Sequence, residues 1–416
     1  MRLVPVWPRE IDDFRGIVAN NVINGLQRLA WEQQGLRVLH INATEYGGGV
    51  AEVLLAQIPL LDNLGLQAQW AVIDADEQFF EITKCMHNGF QGNKEMPWGS
   101  EQQDYYLHVL HQNLASTPGR YDVCVVHDPQ PMAIPTVLGA RRAEIASHWI
   151  WRCHIDCADP HPDIWRFAQS FLEPYDAYVF TMKEFVQPDV PAERVVISPP
   201  SIDPTSPKNS SLEPTTVIDL CRQYHIDPRR PVISQVSRFD PWKDPRGVIQ
   251  AYRKVKETVP DLQLLLAGSL AHDDPEGMRL YEELVRDRDD DRDLFILSNV
   301  QQVGNTTINA FQRAADVVIQ KSIREGFGLT VSEAAWKSKP IIGGRAGGIT
   351  LQVEHGRTGY LVDSVEECAE RTLELLENPG TARQMGEAGR ELVREHFLTT
   401  RELGDWLKLF ADVVRE

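Results

Sequence analysis

The chain has few cysteines, no long apolar run and a deficit of positive charge. Its six cysteines are scattered over 416 residues, which argues against a disulfide-stapled secreted scaffold and favours buried free thiols. No apolar stretch approaches the ~20 residues of a membrane-spanning helix, and the first residues lack a signal-peptide core. We therefore expect a cytoplasmic protein without a membrane span. The formal net charge of −18 argues against a nucleic-acid partner.

Metal ligands are also scarce. The only cluster with such side chains is Cys153, His154 and Cys157, and it lacks a second ligand pair at the spacing of a zinc site. We predict buried thiols there and no metal site.

What the chain does contain is an alternation of short apolar runs with longer amphipathic segments. Its length favours two domains, and a proline- and serine-rich break lies at Pro199–Asn209, where neither a helix nor a central strand can continue. We predict a first domain at 1–205 and a second at 206–399, with a C-terminal helix at 400–416 that packs back on the first. The candidate strands are Arg37–Asn42, Gln67–Ile73, Val123–His127, His148–His154 and Ala177–Thr181 in the first half, and Val232–Ser237, Leu262–Ala267, Leu294–Leu297, Asp316–Gln320, Pro340–Ile342 and Gly359–Val362 in the second.

Near-continuous apolar strands separated by helices are typical of parallel sheets covered on both faces. The prediction is an α/β protein of two doubly wound, Rossmann-like domains that face each other across a cleft. Ligands of such sheets bind beyond the carboxyl ends of the strands, so the residues that follow each strand are the candidates for chemistry.

The most informative segment follows the strand Asp316–Gln320. Glu325 and Glu333 stand eight positions apart, and the turn Gly326-Phe327-Gly328 follows the first of them, before a predicted helix. Glycines at a strand-to-helix turn let a ligand approach the backbone, and a helix start offers N–H groups to an anion. Carboxylates accept hydrogen bonds from hydroxyls. The combination fits a phosphorylated sugar or a nucleotide sugar.

A basic pair, Arg238 and Lys243, follows the first strand of the second half. Arg by its planar fork and Lys as a point charge can converge on a diphosphate. A loop pair of this kind is more often solvated surface, but its place at a strand end in an acidic chain favours the functional interpretation.

The first half offers weaker candidates. Gly47, Gly48 and Gly49 form a strand-to-helix turn, but three adjacent glycines do not match the G-x-G-x-x-G dinucleotide fingerprint. We favour a loop that contacts an anion or a sugar over a merely flexible turn. His127-Asp128 and the segment Arg152–Asp156 end two strands. A lone histidine is by default a satisfied core residue; with an aspartate within two positions, we favour contacts with sugar hydroxyls.

Together these motifs resemble the retaining family-4 glycosyltransferases of GT-B fold, whose signature is two glutamates with seven residues between them. Arg238 and Lys243 match the diphosphate positions of that family, and Gly47–Gly49 its N-terminal glycine loop. Four segments are similar to the trehalose synthases of the glycosyl-transferring type, namely Val126–Pro131, Trp151–Asp156, Pro199–Pro204 and Ile319–Gly328.

The resemblance implies a retaining glucosyltransferase that makes trehalose from a nucleoside-diphosphate glucose and glucose. It implies catalytic roles for Arg238, Lys243, Glu325 and His154. The substrate-binding residues that it implies are Gly47, Gly48, Gly49, Asp128, Arg152, Asp156, Gly326, Phe327, Gly328, Leu329 and Glu333. Glu325 would contact the donor sugar and Glu333 the nucleotide ribose. No cofactor would be obligatory, Mg²⁺ would act at most as a stimulating ion, and the expected assembly is a homodimer.

Three alternatives stay open at this point. A trehalose phosphorylase that uses glucose 1-phosphate would need the same cationic pocket. An NAD-dependent dehydrogenase is disfavoured by the broken glycine fingerprint, and a non-catalytic sugar-binding protein by the intact set of Arg238, Lys243, Glu325 and Glu333. Because a fold does not fix a function, the prediction rests on that set.

Overall fold

The computed structural model describes residues 1–114, 119–270 and 275–415. The chain forms two compact units. The first comprises Met1–Pro200 with Thr399–Glu416, and the second comprises Ser201–Leu398.

The first unit is built on a seven-stranded sheet of order β1-β3-β2-β4-β5-β6-β7. Neighbouring strands are parallel, except that β1 runs antiparallel to β3. Its strands are β1 Arg2–Leu3, β2 Arg37–Asn42, β3 Gln67–Val72, β4 Tyr121–His127, β5 Ala146–Cys153, β6 Ala177–Phe180 and β7 Val195–Ile197. Its helices are α1 Asn20–Trp31, α2 Gly49–Asn63, α3 Glu77–Phe90, α4 Ser100–Asn113, α5 Ile134–Leu138, α6 Arg142–Ile145, α7 Pro162–Gln169 and α16 Thr399–Arg415, with 3-10 turns at Ile11–Phe14, Gly139–Arg141, Lys183–Phe185 and Ala192–Arg194.

The C-terminal helix α16 is part of the core of this first unit. It packs on α1 and α2, and its buried side chains Leu403, Trp406, Leu407 and Phe410 join the cluster that covers one face of the sheet. Apolar residues at i, i+3, i+4 and i+7 give the helix one continuous buried stripe, so burial of that stripe fixes the end of the chain to the first unit.

The second unit has a six-stranded, fully parallel sheet of order β10-β9-β8-β11-β12-β13. Its strands are β8 Val232–Val236, β9 Gln263–Gly268, β10 Leu294–Ser298, β11 Val317–Gln320, β12 Ile341–Gly344 and β13 Gly359–Val362. Its helices are α8 Pro214–Gln223, α9 Pro245–Lys256, α10 Pro275–Asp287, α11 Asn305–Ala314, α12 Leu329–Trp336, α13 Ile349–Gln352, α14 Val365–Glu377 and α15 Pro379–His396, with 3-10 turns at Pro241–Lys243 and Asn299–Gln301.

The strand order of the second unit reverses between β8 and β11. The chain leaves β8 toward β9 on one side and returns to β11 on the other, which creates a topological switch point at the carboxyl ends of these two strands. The loops at 237–244 and 321–328 both begin there. The basic pair and the first glutamate are therefore brought to one place by the sheet itself.

The predicted α/β class with two Rossmann-like parallel sheets is confirmed. All eleven predicted strands are present, with ends that differ by no more than two residues. The strands β1 and β7 were not predicted, because two or three residues are too few to show a period. All six cysteines are buried and free. Within the described ranges, no helix has the length and apolarity that crossing a bilayer requires.

Truncation of Phe410 tests the contribution of α16. The ring is fully buried against the first unit's sheet, so Phe410→Ala is expected to lower the free energy of unfolding of this unit by about 3–5 kcal/mol. Urea unfolding followed by tryptophan fluorescence measures it, since all tryptophans but Trp242 and Trp336 lie in the first unit. Val414→Ala, on the exposed side of the same helix, serves as the control. An equal effect of the two changes would contradict a core role for α16.

Candidate active site

The centre of the candidate site in the second unit is an ion pair between Lys243 and Glu325. Lys243 Nζ lies 2.7 Å from both Glu325 Oε1 and Oε2, and the hydroxyl of Ser322 donates to Oε2 at 3.1 Å. The Glu325 side chain is only 7% exposed. A carboxylate this buried needs a cation and hydrogen-bond donors to remain charged. The pair thus keeps two opposite charges together at the switch point.

The loops that carry this pair are fastened to each other. Ile323 N donates to Trp242 O at 2.8 Å, and the Lys321 ammonium pairs with the Asp244 carboxylate. Asp244 has a left-handed backbone, with φ of 49°, and its side chain caps α9 by accepting from Gly247 N. Two charged contacts and one backbone contact therefore hold the end of β8 against the end of β11.

Two glycines allow the turn before α12 to form. Gly328 has φ of 83°, a conformation that side chains disfavour, and it packs against the Glu325 side chain. Gly344 faces the backbone of Ser322, whose oxygen would lie 2.1 Å from any added Cβ. A side chain at either position would displace the turn that presents Glu325.

Arg238 lies on the same loop as Lys243. Its guanidinium Nη2 is 3.6 Å from Asp240 Oδ2, and its side chain is 33% exposed. Asp240 is itself buried and accepts from Trp242 N at 2.9 Å. Arg238 is therefore near the ion pair in sequence and accessible to a ligand.

Glu333 occupies a separate, deeper place on α12. Its side chain is 2% exposed, and Lys208 Nζ lies 3.0 Å from its Oε1, while Gln312 Nε2 donates to its Oε2 at 3.3 Å. Lys337, one turn later, donates to the Glu333 backbone oxygen and to Asn209 Oδ1. The second glutamate thus also has a lysine partner, contributed by the segment that precedes α8.

The remaining predicted residues of this loop surround the start of α12. Phe327 is buried, whereas Gly326, Gly328 and Leu329 are partly exposed. No side chain caps the helix at Gly328 within the described residues. The first N–H groups of α12 therefore have no side-chain cap from the described residues, and their role in binding an anionic or hydroxyl ligand stays a prediction.

In the first unit, Asp128 and His154 are held against each other. Asp128 adopts φ of 62°, and its Oδ1 accepts from the backbone N–H of His154 at 2.7 Å. Burial raises the pKa of Asp128 to about 7, against the lowering effect of this hydrogen bond and of Arg152. Both side chains are partly buried, so they stay accessible to a ligand.

His127 does not have the role that the sequence suggested. It is buried, and both of its ring nitrogens are within hydrogen-bond distance of other histidines: Nε2 lies 3.0 Å from His40 Nδ1, and Nδ1 lies 3.0 Å from His154 Nε2. Neither nitrogen remains for a sugar hydroxyl. The expectation of a direct contact between His127 and a sugar is therefore corrected, because His40 and His154 occupy both of its ring nitrogens.

Arg152 is fully buried at the end of β5. None of its three guanidinium nitrogens has a hydrogen-bond partner among the described residues. Burial lowers the pKa of this guanidinium, and the carboxylates of Glu402 and Asp128 oppose that effect. Asp156 is buried too, and its Oδ1 accepts from Ala158 N at 3.1 Å.

The three glycines of the first-unit loop lead into α2. Gly47 has φ of 83°, Gly48 is the N-cap, and Gly49 is the first helical residue, with no side-chain cap. The loop is partly to fully exposed. Among the described residues, no group of three or more His, Cys, Asp or Glu side chains is arranged to hold a metal ion.

Two family models match the chain. Residues 40–187 match the N-terminal domain of trehalose synthase, and residues 219–392 match the glycosyl transferases of group 1. A trehalose synthase from Thermococcus litoralis is 43% identical over 402 residues, which cover 96% of each chain. The chain belongs to the trehalose synthase family. A further trehalose synthase, from Rubrobacter xylanophilus, is 44% identical and covers 98% of this chain and 97% of its own.

Solved structures agree on the architecture. Anabaena HepE in complex with UDP and glucose superposes with a TM-score of 0.65 at 14% identity, covering 90% of this chain and 99% of that one. The sucrose-phosphate synthase of Thermosynechococcus elongatus gives a TM-score of 0.67 at 17% identity, covering 91% and 99%. The fold is GT-B, the chain is a glycosyltransferase, and the resemblance drawn from its motifs is confirmed.

Sequence reasoning did not find several residues of these sites. Lys208 and Lys337 were not singled out, because nothing in their local pattern differs from a solvated lysine. His40 sits within an apolar strand, and its pairing depends on how β2 and β4 align. The sequence did single out Cys153 and Cys157, whose sulfurs lie 3.9 Å apart as buried free thiols.

Lys337, which lies buried one turn after Glu333, leads to a prediction of how the stability of the fold changes with pH. Burial lowers the pKa of Lys337 from 10.5 to about 7, more than Glu333 raises it. At a pH between about 7 and 10.5, Lys337 therefore carries a proton in the unfolded chain but not in the folded chain. Because the unfolded state binds more protons, the free energy of unfolding rises with pH in this range. The stability of the wild type relative to Lys337→Met is expected to rise between pH 7 and 9, by up to about 1.4 kcal/mol per pH unit.

Denaturant titrations of both proteins at several pH values measure this difference. Lys254→Met, which removes a half-exposed lysine of the same unit, is the matched control. Parallel stability curves for the wild type and Lys337→Met would show that Lys337 keeps its ordinary protonation in the folded state.

Proposed function

We propose that the chain transfers glucose from a nucleoside-diphosphate glucose to free glucose, with retention at the anomeric carbon, and so makes trehalose. One observation carries the proposal: Lys243 and Glu325 form a buried ion pair at the switch point of the second unit, beside the partly exposed Arg238. The relatives named trehalose synthase, 43% identical over almost the whole chain, support the same reaction.

Arg238 and Lys243 are assigned to the diphosphate, which is the leaving group of the reaction. When the bond between the sugar C1 and the phosphate oxygen breaks, negative charge grows on the diphosphate. Arg238 and Lys243 stabilise that charge, in a site where little water screens it. The same phosphate oxygen accepts the proton of the acceptor hydroxyl as that hydroxyl bonds to C1, so the products are trehalose and the nucleoside diphosphate.

The two glutamates are assigned to different parts of the donor. Glu325 accepts hydrogen bonds from glucosyl hydroxyls, because its carboxylate lies in the turn beside Lys243. Glu333 accepts from the ribose hydroxyls, with Lys208 and Gln312 holding its carboxylate in place. Gly326, Phe327, Gly328 and Leu329 bring the start of α12 to the donor.

The first-unit residues are assigned to the sugars. His154 contacts the transferred glucose, Asp128 and Asp156 lie on the acceptor side, and the amides of Gly47–Gly49 approach the phosphates or the sugar. Arg152 is also assigned to substrate binding, since its guanidinium is held at the end of β5 with no hydrogen-bond partner among the described residues for any of its three nitrogens.

A metal ion is not part of the proposed chemistry. Arg238 and Lys243 supply the positive charge that the leaving diphosphate needs, so Mg²⁺ is proposed to stimulate the reaction rather than to be required. Turnover that persists in the presence of EDTA is the expected result.

A phosphorolytic reaction is the second candidate. A trehalose phosphorylase from Pleurotus pulmonarius is 26% identical over 96% of this chain, although the match covers only 60% of the fungal protein. A pocket that holds a diphosphate also holds phosphate, so donor choice separates the two reactions.

The test is a donor panel with the purified enzyme. Free glucose is the acceptor, and the donors are UDP-, ADP- and GDP-glucose and, in a separate reaction, glucose 1-phosphate; products are separated by chromatography and the linkage is read by NMR. We expect trehalose from at least one nucleotide donor. Trehalose formed from glucose 1-phosphate alone would favour the phosphorylase, and release of free glucose alone would contradict a transferase.

Removal of the partly exposed Arg238 is expected to act on turnover more than on folding, whereas removal of Lys243 also leaves the buried Glu325 carboxylate without its cation and lowers stability. Arg238→Ala and Lys243→Ala should each lower kcat about a hundredfold, which corresponds to the loss of about 3 kcal/mol of transition-state stabilisation. Initial rates at saturating donor measure this. Arg229→Ala, which removes a 79% exposed guanidinium elsewhere in the second unit, is the control. Near-normal rates in both variants would remove the pair from the site.

The two glutamates should respond differently to loss of charge. Glu333→Gln is expected to weaken binding of a free nucleoside diphosphate, because the ribose loses a charged acceptor and Lys208 loses its partner. Glu325→Gln is expected to lower kcat with a smaller change in nucleotide affinity. Calorimetric titration and initial rates give the two quantities. Equal affinity of Glu333→Gln and the wild type would refute the ribose role.

A further inference from the structure

Three histidines of the first unit form a hydrogen-bonded row. His40 on β2, His127 on β4 and His154 after β5 are linked in order, with both nitrogen–nitrogen distances at 3.0 Å. The rings of each neighbouring pair are stacked, with centroids 5.2 Å and 5.3 Å apart. The row starts in the core and ends at the partly exposed His154, a residue assigned to the substrate above.

The row is neutral in the folded protein. Burial lowers the pKa of His40 to about 3. It also lowers the pKa values of His127 and His154 well below the ordinary value, and the nearby Arg152 charge acts in the same direction. A neutral imidazole carries one N–H and one lone pair, so each ring is protonated at either Nδ1 or Nε2 but not at both.

Only two arrangements of three protons satisfy both hydrogen bonds with neutral rings. In the first, every ring carries its proton on Nδ1, and His154 Nδ1–H points out of the row. In the second, every ring carries its proton on Nε2, and His154 leaves a lone pair on Nδ1. The first arrangement makes His154 a donor to the substrate, and the second makes it an acceptor.

The inner end of the row discriminates between these arrangements. His40 Nε2 is buried without a partner among the described residues, against the rings of Trp406 and Phe410, whose centroids lie 5.6 Å and 6.4 Å away. The second arrangement would leave an N–H there, and orphaned buried N–H groups are rarer than unpaired acceptors.

We propose that His40 and His127 are positioning residues that fix His154 as the Nδ1–H tautomer, so that it presents a hydrogen-bond donor to an oxygen of the glucosyl donor. The backbone of His154 is fixed independently by Asp128 Oδ1, which leaves the ring orientation and its proton to the row. The assignment to a glucosyl oxygen rests on the proposed function, whereas the tautomer itself does not.

The tautomer is measured directly by NMR on the full-length protein labelled with ¹⁵N-histidine. Long-range ¹H–¹⁵N correlations distinguish a protonated from an unprotonated ring nitrogen, and His154→Asn, His127→Asn and His40→Asn assign the signals. We expect protonated Nδ1 and bare Nε2 on all three rings. A protonated Nε2 on His154 would overturn the proposal while leaving trehalose formation untouched. Failure to form trehalose would refute the function and leave the tautomer standing.

A paired set of variants tests the positioning role. His127→Phe keeps a ring but loses both hydrogen bonds, and His127→Asn keeps an amide N–H near the position of Nδ1. We expect kcat to fall roughly tenfold or more in His127→Phe, as for one lost hydrogen bond, and to recover in part in His127→Asn, with nucleoside-diphosphate affinity unchanged in both. Equal kcat in the two variants would contradict the proposal. If His127→Phe does not fold, His40→Phe against His40→Asn provides the same comparison one ring further from the substrate.

Discussion

The ion pair between Lys243 and Glu325 is the interaction on which the second-unit site depends. A carboxylate that is 7% exposed is costly unless a cation and a hydrogen-bond donor compensate it, and Lys243 and Ser322 provide both. Glu333 repeats the arrangement with Lys208. Each carboxylate is therefore held in place by a lysine, and the strand order of the sheet places the first glutamate beside the basic loop.

In the first unit, neutral side chains rather than an ion pair hold the candidate site residue in place. His154, which we propose contacts the substrate, is hydrogen-bonded in a row with two further histidines, and burial keeps the row uncharged. The nearby positive charge of Arg152 is compensated by the Glu402 carboxylate of α16 and by Asp128. The helix α16 thus has two functions, since it completes the core of the first unit and also covers the inner end of the histidine row through Trp406.

The sequence predicted those parts of the site that local pattern determines. Glu325, Gly328 and Lys243 follow apolar strands in short motifs, and strand ends of a parallel sheet meet at one edge, so their proximity was foreseeable. The pairing of Lys208 with Glu333 was not, because it depends on how the segment before α8 lies on α12. The histidine row depends on how β2, β4 and β5 align, which brings His40 and His154 to the two ring nitrogens of His127. The burial of Arg152 is likewise a tertiary effect.

A crystal structure of the protein with a nucleoside diphosphate and glucose tests the central assignment most directly. We expect diphosphate oxygens within hydrogen-bond distance of the Arg238 guanidinium and the Lys243 ammonium, and ribose hydroxyls on the Glu333 carboxylate. A ribose bound elsewhere, with phosphates that contact neither Arg238 nor Lys243, would contradict it.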